Sequence, residues 1–107
     1  NKMKSEGLMV RVGKQELKID INSIAGFFVD GEYVVACDLN GKKYYLDQSL
    51  DKLEADLPGD LFFRLNRQFI LHRQQILGFK RAEYGKLIVT LRSNEHFPSE
   101  ITVSRIK

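Results

Sequence analysis

Two dipeptides, Asp30-Gly31 and Asn40-Gly41, lie between short apolar runs in the first half of the 107-residue chain. Both are typical of tight β-hairpin turns, because Asn, Asp and Gly tolerate the positive φ that such turns require. The runs that flank them, residues 24–29, 33–39 and 43–46, have the length of strands and are rich in Val, Phe and Tyr. These features predict an antiparallel β-meander.

Shorter apolar runs predict further strands before and after the meander. Leu17, Ile19 and Ile21 alternate with polar residues, which indicates a strand with one buried face. We expect the remaining strands over residues 8–12, 77–80, 87–91 and 101–103, with polar loops over residues 81–86 and 92–99.

The stretch 48–57 has a different period. Its three leucines recur at i, i+3 and i+7 with charged residues between them, which is the pattern of a helix with one apolar face. Asp47 or Ser49 can cap its start, and Pro58-Gly59 ends it. We therefore expect a mostly β fold with one short α-helix at about residues 48–57, whose leucines pack on a sheet.

The composition, 43% hydrophobic and 29% charged, is that of a soluble globular chain. No apolar run approaches the ~20 residues needed to span a bilayer, so we expect no membrane contact by this fragment. The lone Cys37 excludes a disulfide within the chain and fits a cytoplasmic location. The start at Asn1 indicates a fragment, so we expect residues 1–7 to be a tail or linker remnant and residues 8–107 to form one domain.

The formal net charge of +3 is unevenly distributed along the chain. Residues 61–107 hold nine Lys/Arg and three Asp/Glu, whereas residues 1–60 hold eight Lys/Arg and eleven Asp/Glu. A basic second half suggests a surface that meets a polyanion or an acidic partner.

The segment 62–76, FFRLNRQFILHRQQI, contains no acidic residue. Its polar side chains, His72 and Gln75 among them, are cations, amides and an imidazole, which suit phosphates and base edges. Some of its apolar residues fall on one face of a helix, but alternation on either side of residues 66–68 equally fits strand–loop–strand. The pattern alone does not distinguish these two structures. It is also compatible with a basic surface hairpin that has no binding function.

The sequence has no motif for catalysis or metal binding. It lacks a glycine-rich nucleotide-binding loop, a nucleophile elbow and a zinc-protease motif. His72 and His96 are far apart and have no Cys or clustered acids at ligand spacing. We therefore expect a protein that is not an enzyme, with no catalytic residue, metal ligand or cofactor.

Three segments, taken in order, resemble the LytTR family of bacterial DNA-binding output domains. Residues 63–71, FRLNRQFIL, resemble the family's R-[IC]-H-[RN]-S-[YF]-[IV]-V segment, with Asn66 at the His position and Gln68 at the Ser position. Residues 103–105 match its closing V-S-R, and residues 24–34 resemble its I-x-Y-I-E-A-x-x-N-Y-V hairpin. The ordered set carries the resemblance, since no single motif is specific.

The resemblance implies an elongated stack of small antiparallel sheets with one short helix, and strand–loop–strand over the central segment. It also implies that loops read double-stranded DNA sequence-specifically, in a bacterial transcriptional regulator with an upstream receiver or membrane sensor domain. A dimer on DNA is compatible with this role. The contact residues carried over by position are Tyr33 with Glu32, Arg67 and Arg105, and the neighbours expected to position phosphates are Asn66, Gln68, Arg73 and Lys107.

Two other functions compete with duplex recognition. A protein-interaction β domain would use the same basic face for an acidic partner. A single-stranded nucleic-acid binder would need an aromatic stacking platform. Most aromatic residues lie in strand runs, where core packing is the expected role, and this disfavours the single-strand alternative.

Overall fold

The computed structural model describes residues 8–12, 14–92 and 96–103. Within these residues the chain is mostly β, with ten strands in three antiparallel sheets and one α-helix, α1 (Leu50–Asp56). The strands are β1 (Leu8–Val12), β2 (Gln15–Ile19), β3 (Ile24–Asp30), β4 (Tyr33–Asp38), β5 (Lys43–Leu46), β6 (Phe62–Arg64), β7 (Phe69–His72), β8 (Ile76–Arg81), β9 (Leu87–Leu91) and β10 (Glu100–Val103).

The three sheets stack as layers. A central five-stranded sheet, in the order β5-β4-β3-β7-β6, carries the β1–β2 hairpin and α1 on one face and the three-stranded sheet β10-β9-β8 on the other. The molecule is elongated, with extents of 46 × 30 × 25 Å. These observations confirm the predicted fold class of stacked small sheets with one short helix.

Two hydrophobic cores, one on each face of the central sheet, hold the layers together. The helix-side core includes Ile21, Ile24, Phe27, Leu50, Leu53, Phe62 and Ile70. The sheet-side core includes Ala25, Cys37, Leu65, Leu71, Val89, Leu91 and Phe97. Because successive residues of a strand point to opposite faces, β7 supplies Ile70 to the first core and Leu71 to the second.

Both predicted glycine turns are confirmed as hairpins. β3 and β4 pair from Ile24↔Asp38 to Asp30↔Tyr33, and β4 pairs with β5 as far as Cys37↔Lys43. Gly31 and Gly41 have φ angles of 65° and 90°, a region that residues with a Cβ adopt only with strain.

Helix α1 is shorter than predicted and is packed as predicted. The Ser49 hydroxyl accepts a hydrogen bond from the Lys52 main-chain N–H at 3.1 Å, so Ser49 caps the helix. Leu50, Leu53 and Leu57 are all buried in the helix-side core, which confirms the leucine stripe. No helix within the described ranges has the length and hydropathy to cross a membrane.

A register shift between Ile24 and Gly26 marks a bulge in β3. The extra residue allows Ile24 and Phe27 to face the helix-side core together, although strict alternation would separate them. A Cβ at position 26 would lie 2.7 Å from the Ile70 carbonyl oxygen and 2.5 Å from Leu71 Cδ2. Gly26 is therefore required for the close approach of β3 and β7.

The central segment is strand–loop–strand: β6 and β7 flank a loop over residues 65–68. Its recognition-helix alternative is therefore wrong.

Two predicted loops also need correction. The loop predicted over residues 81–86 is shorter, because β8 continues to Arg81. The loop predicted as polar over residues 92–99 contributes Phe97, which is only 7% exposed and packs on the rings of Phe28 and Phe69. The tail predicted for residues 1–7 lies outside the described residues.

Candidate nucleic-acid interface

Three connections meet at one end of the central sheet. The β3–β4 turn (residues 30–33) is closed by the pair Asp30↔Tyr33. The β6–β7 loop (residues 65–68) lies at the same end of the sheet, just past the pairs Arg64↔Ile70 and Phe28↔Phe69. The Val29 N–H donates to the Gln68 carbonyl oxygen at 3.2 Å and ties the turn to the loop. The β5–α1 connection (residues 47–49) lies beside them, and we call these three connections the loop end.

A concave surface of about 640 Å³ lies between these connections. It is lined by residues from all three, including Glu32, Tyr33, Asp47, Arg64 and Arg67. The structure therefore brings together three of the residues chosen from the sequence, Glu32, Tyr33 and Arg67.

Arg67 is an exposed cation on a braced loop. Its guanidinium has no ion pair among the described residues. Leu65 is buried in the sheet-side core, and its N–H donates to the Phe69 carbonyl oxygen at 2.9 Å. The loop is thus fixed from behind while Arg67 faces solvent.

Asn66 performs the bracing. Its Oδ1 accepts hydrogen bonds from the main-chain N–H groups of Gln68 at 2.8 Å and Phe69 at 3.1 Å, which is the geometry of an Asx turn. Its Nδ2 donates to the Thr102 carbonyl oxygen of β10 at 3.4 Å. The amide is occupied by the protein itself, whereas Gln68 beside it is exposed and free to contact a partner.

Tyr33 projects from the β3–β4 turn and is 55% exposed, so it is not a core residue. Its ring makes an edge-on contact with Tyr45, with centroids 5.9 Å apart. Sequence reasoning did not select Tyr45. Strand alternation could have shown that Tyr45 lies near Tyr33. Tyr45 pairs with Val35, and Tyr33 lies two residues before Val35 on the same face.

The two other arginines of the central segment add no unpaired cation to the loop end, although Arg64 lines its concave surface. Arg64 donates to Asp51 Oδ1 at 3.0 Å, to Glu54 Oε1 at 2.8 Å and to the Asn66 carbonyl oxygen at 2.6 Å, so it anchors α1 to the loop. Arg73 lies past the far end of β7, about 13 Å of strand from the loop. It is exposed, and its guanidinium donates to the Asp60 carbonyl oxygen at 3.5 Å.

His72 and Gln75 are buried, at 2% and 6% exposed, which corrects their expected place on the basic surface. His72 Nδ1 accepts from the Gln74 N–H at 3.1 Å, so the ring proton resides on Nε2, which faces Asn22 Oδ1 at 3.4 Å. Burial, and to a lesser extent the neighbouring Arg73 cation, lowers the pKa of His72 from its ordinary value of 6.5. A neutral, buried imidazole has a structural role.

Arg105 and Lys107 lie outside the described residues. The structure describes the chain as far as β10, which ends at Val103 one residue after the Asn66 contact. The last described strand therefore borders the loop that carries Arg67.

The stacked sheets and the braced loop end define a mostly β domain in which three connections gather at one end of the central sheet. The model of the LytTr DNA-binding domain matches residues 14–107. The chain belongs to this family of DNA-binding domains, which confirms the resemblance seen in the sequence.

One solved structure supports the fold independently. It is the LytTr DNA-binding domain of a protein described as a methyl-accepting/DNA response regulator from Bacillus cereus, with a TM-score of 0.72 at 14% sequence identity. The match covers 94% of this chain and 88% of that one. A comparison with curated proteins finds no match.

Proposed function

We propose that this domain reads double-stranded DNA sequence-specifically through its loop end, as part of a bacterial transcriptional regulator. The observation that carries the proposal is Arg67, an exposed guanidinium that has no ion pair among the described residues and stands on a loop braced by Asn66. Base readout requires a donor fork held in place before binding, and an arginine can bridge guanine O6 and N7 with two hydrogen bonds.

Arg105 is the second proposed reader. It follows Thr102 by three residues, which span no more than about 11 Å of extended chain. Thr102 contacts the Arg67 loop through Asn66, so both arginines can approach one stretch of duplex. Lys107, a compact cation on a flexible stem, suits phosphate contact.

The remaining predicted residues have supporting roles in the proposal. Tyr33 and Glu32 contact DNA from the β3–β4 turn, across the concave surface from Arg67. Gln68 and Arg73 position the sugar-phosphate backbone, Arg73 at a point farther along the duplex. Asn66 acts by holding the loop, since its amide is already hydrogen-bonded.

The proposal extends to the full-length protein. We propose that the full-length protein carries an upstream receiver or membrane sensor domain, that this domain acts in the cytoplasm, and that it binds DNA as a dimer. An inverted or direct repeat in the selected DNA would support the dimer, since half-sites mirror the symmetry of the protein.

The test is selection of bound duplexes from a random pool, with and without competitor DNA, followed by salt titration on the selected site. We expect one enriched motif and an affinity that falls linearly in log–log form, with a slope of roughly −0.9 per neutralised phosphate. Absence of enrichment together with affinity insensitive to salt would favour the alternative of an acidic protein partner.

A further inference from the structure

The β8–β9 hairpin is a second projection near the loop end. Its residues lie in rows across the three-stranded sheet: Lys80 pairs with Ile88, which pairs with Thr102, and Arg81 pairs with Leu87, which pairs with Val103. Two strand spacings, about 10 Å, therefore separate these cations from the strand that Asn66 contacts.

The hairpin is basic, and two of its three cations have no ion pair within the described ranges. Its three Lys/Arg outnumber its one acid, Glu83. Arg81 and Lys86 are exposed and have no ion pair among the described residues, whereas Lys80 pairs with Glu100 at 3.6 Å. Two unneutralised cations thus flank the hairpin tip.

The tip holds an aromatic side chain in solvent. Tyr84 is 91% exposed and has a φ of 62°, a left-handed conformation that is rare for a bulky residue. Hydrogen bonds from the Ala82 N–H to the Lys86 carbonyl oxygen, at 2.8 Å, and from the Lys86 N–H to the Glu83 carbonyl oxygen, at 3.3 Å, close the turn around it. A strained residue whose ring is almost fully exposed within the described part of the chain points to a contact outside it.

We propose that the β8–β9 hairpin is a phosphate clamp, in which Arg81 and Lys86 contact DNA phosphates and Tyr84 packs against the sugar-phosphate backbone. This inference rests on the proposed function. The spacing supports it: about 10 Å between the hairpin and the strand beside the Arg67 loop approaches the ~12 Å width of the major groove. The loop end and the hairpin would then contact opposite walls of one groove.

The clamp adds affinity without adding specificity. Phosphates are the same in every sequence, so the hairpin fixes the register of the domain while the loop end reads bases. Each lost phosphate contact lowers affinity about 8-fold at 0.1 M salt and reduces the log–log slope by about 0.9.

The experiment compares Arg81→Ala/Lys86→Ala with the control Lys18→Ala/Lys43→Ala. The control also removes two exposed cations, from the β1–β2 sheet on the other face and from the β5 end remote from the loop end. Salt titrations use the selected duplex and a scrambled duplex. We expect the affinity of the hairpin variant to fall about 60-fold on both duplexes, and the slope of log affinity against log salt to be smaller by about 1.8. The affinity of the control should fall much less.

A third variant, Tyr84→Gly, removes the ring and suits the left-handed backbone. We expect it to weaken binding to both duplexes without lowering the urea midpoint. Wild-type protein that binds no duplex overturns the proposed function together with the clamp. Salt-dependent wild-type binding, with the hairpin variant equal to the control, overturns the clamp alone. Should the hairpin variant instead lose only binding to anionic lipid vesicles, the hairpin serves a membrane surface and the clamp is wrong.

Discussion

The Asn66 side chain connects the Arg67 loop to the Thr102 carbonyl oxygen of β10 at 3.4 Å, while its oxygen holds two main-chain N–H groups of its own loop. One amide therefore fixes the shape of the loop and its position against β10, whose last residue, Val103, precedes Arg105 by two positions in the sequence. Asn66 therefore links the loop of one proposed base-reading residue, Arg67, to the last described strand.

Asn66→Ala should weaken DNA binding without removing a DNA contact. Loss of three hydrogen bonds should cost about 1–3 kcal/mol of unfolding free energy. Asn66→Asp is the comparison variant: it keeps the acceptor of the two loop bonds, but it replaces the donor to Thr102 with a carboxylate oxygen and adds a negative charge beside Arg67. We expect Asp to restore part of the stability that Ala loses, measured by urea unfolding, but not the affinity, measured by fluorescence anisotropy, because the added negative charge repels DNA phosphates. Equal urea midpoints for the Ala and Asp variants would show that the two hydrogen bonds within the loop contribute nothing to stability.

Arg67→Ala and Arg105→Ala test base readout. Each should cost ~1–3 kcal/mol on the selected site and much less on random DNA, because a bidentate base contact is lost. Lys107→Ala should weaken binding to both duplexes about equally and flatten the salt slope by about one phosphate. The measured quantity is the ratio of specific to non-specific affinity. An unchanged ratio for Arg105→Ala would make Arg105 a phosphate contact.

Gly26→Ala tests the packing of the β3 bulge. The added methyl would lie 2.7 Å from a backbone oxygen of β7, which is not free to move. Overpacking of this kind typically costs about 1–3 kcal/mol, and we expect a lower urea midpoint by circular dichroism. Gly59→Ala is the control, since nothing lies within 4 Å of its added Cβ. Equal midpoints for the two variants would contradict the close approach described for Gly26.

Local signals in the sequence predicted much of this fold. The Asp30-Gly31 and Asn40-Gly41 turns and the leucine stripe of α1 act over a few residues, where turn chemistry and period decide the structure. Phe97 was missed because its burial depends on Phe28 and Phe69, which are distant in sequence. No local pattern distinguishes such a residue from an exposed loop aromatic.

The site was predicted less completely for the same reason. Position in the family pattern selected Arg67 and Tyr33, which the structure brings to one surface. It could not show that Asn66 is consumed by loop hydrogen bonds, or that Arg64 pairs with two acids of α1. These partners come from tertiary contacts between distant parts of the chain. Charge composition alone cannot distinguish a paired arginine of the segment from an unpaired one.

His72 gives the last prediction, a loss of stability in mild acid. Its pKa is lowered in the folded chain, mainly by burial and then by Arg73, whereas the unfolded chain titrates near 6.5. Above pH 6.5 the imidazole is neutral in both states and its contribution to stability is complete. As the pH falls below 6.5, the unfolded chain binds a proton that the folded chain resists, so the unfolding free energy decreases. The decrease for one proton cannot exceed about 1.4 kcal/mol per pH unit.

Urea unfolding between pH 7.5 and 5.5 should therefore show a steeper decline of the unfolding free energy for the wild type than for His72→Gln. The variant also loses the ring contact with Phe62, with centroids 4.9 Å apart, so the slope is the readout and not the absolute stability. Parallel slopes would show that His72 is protonated as easily in the fold as outside it.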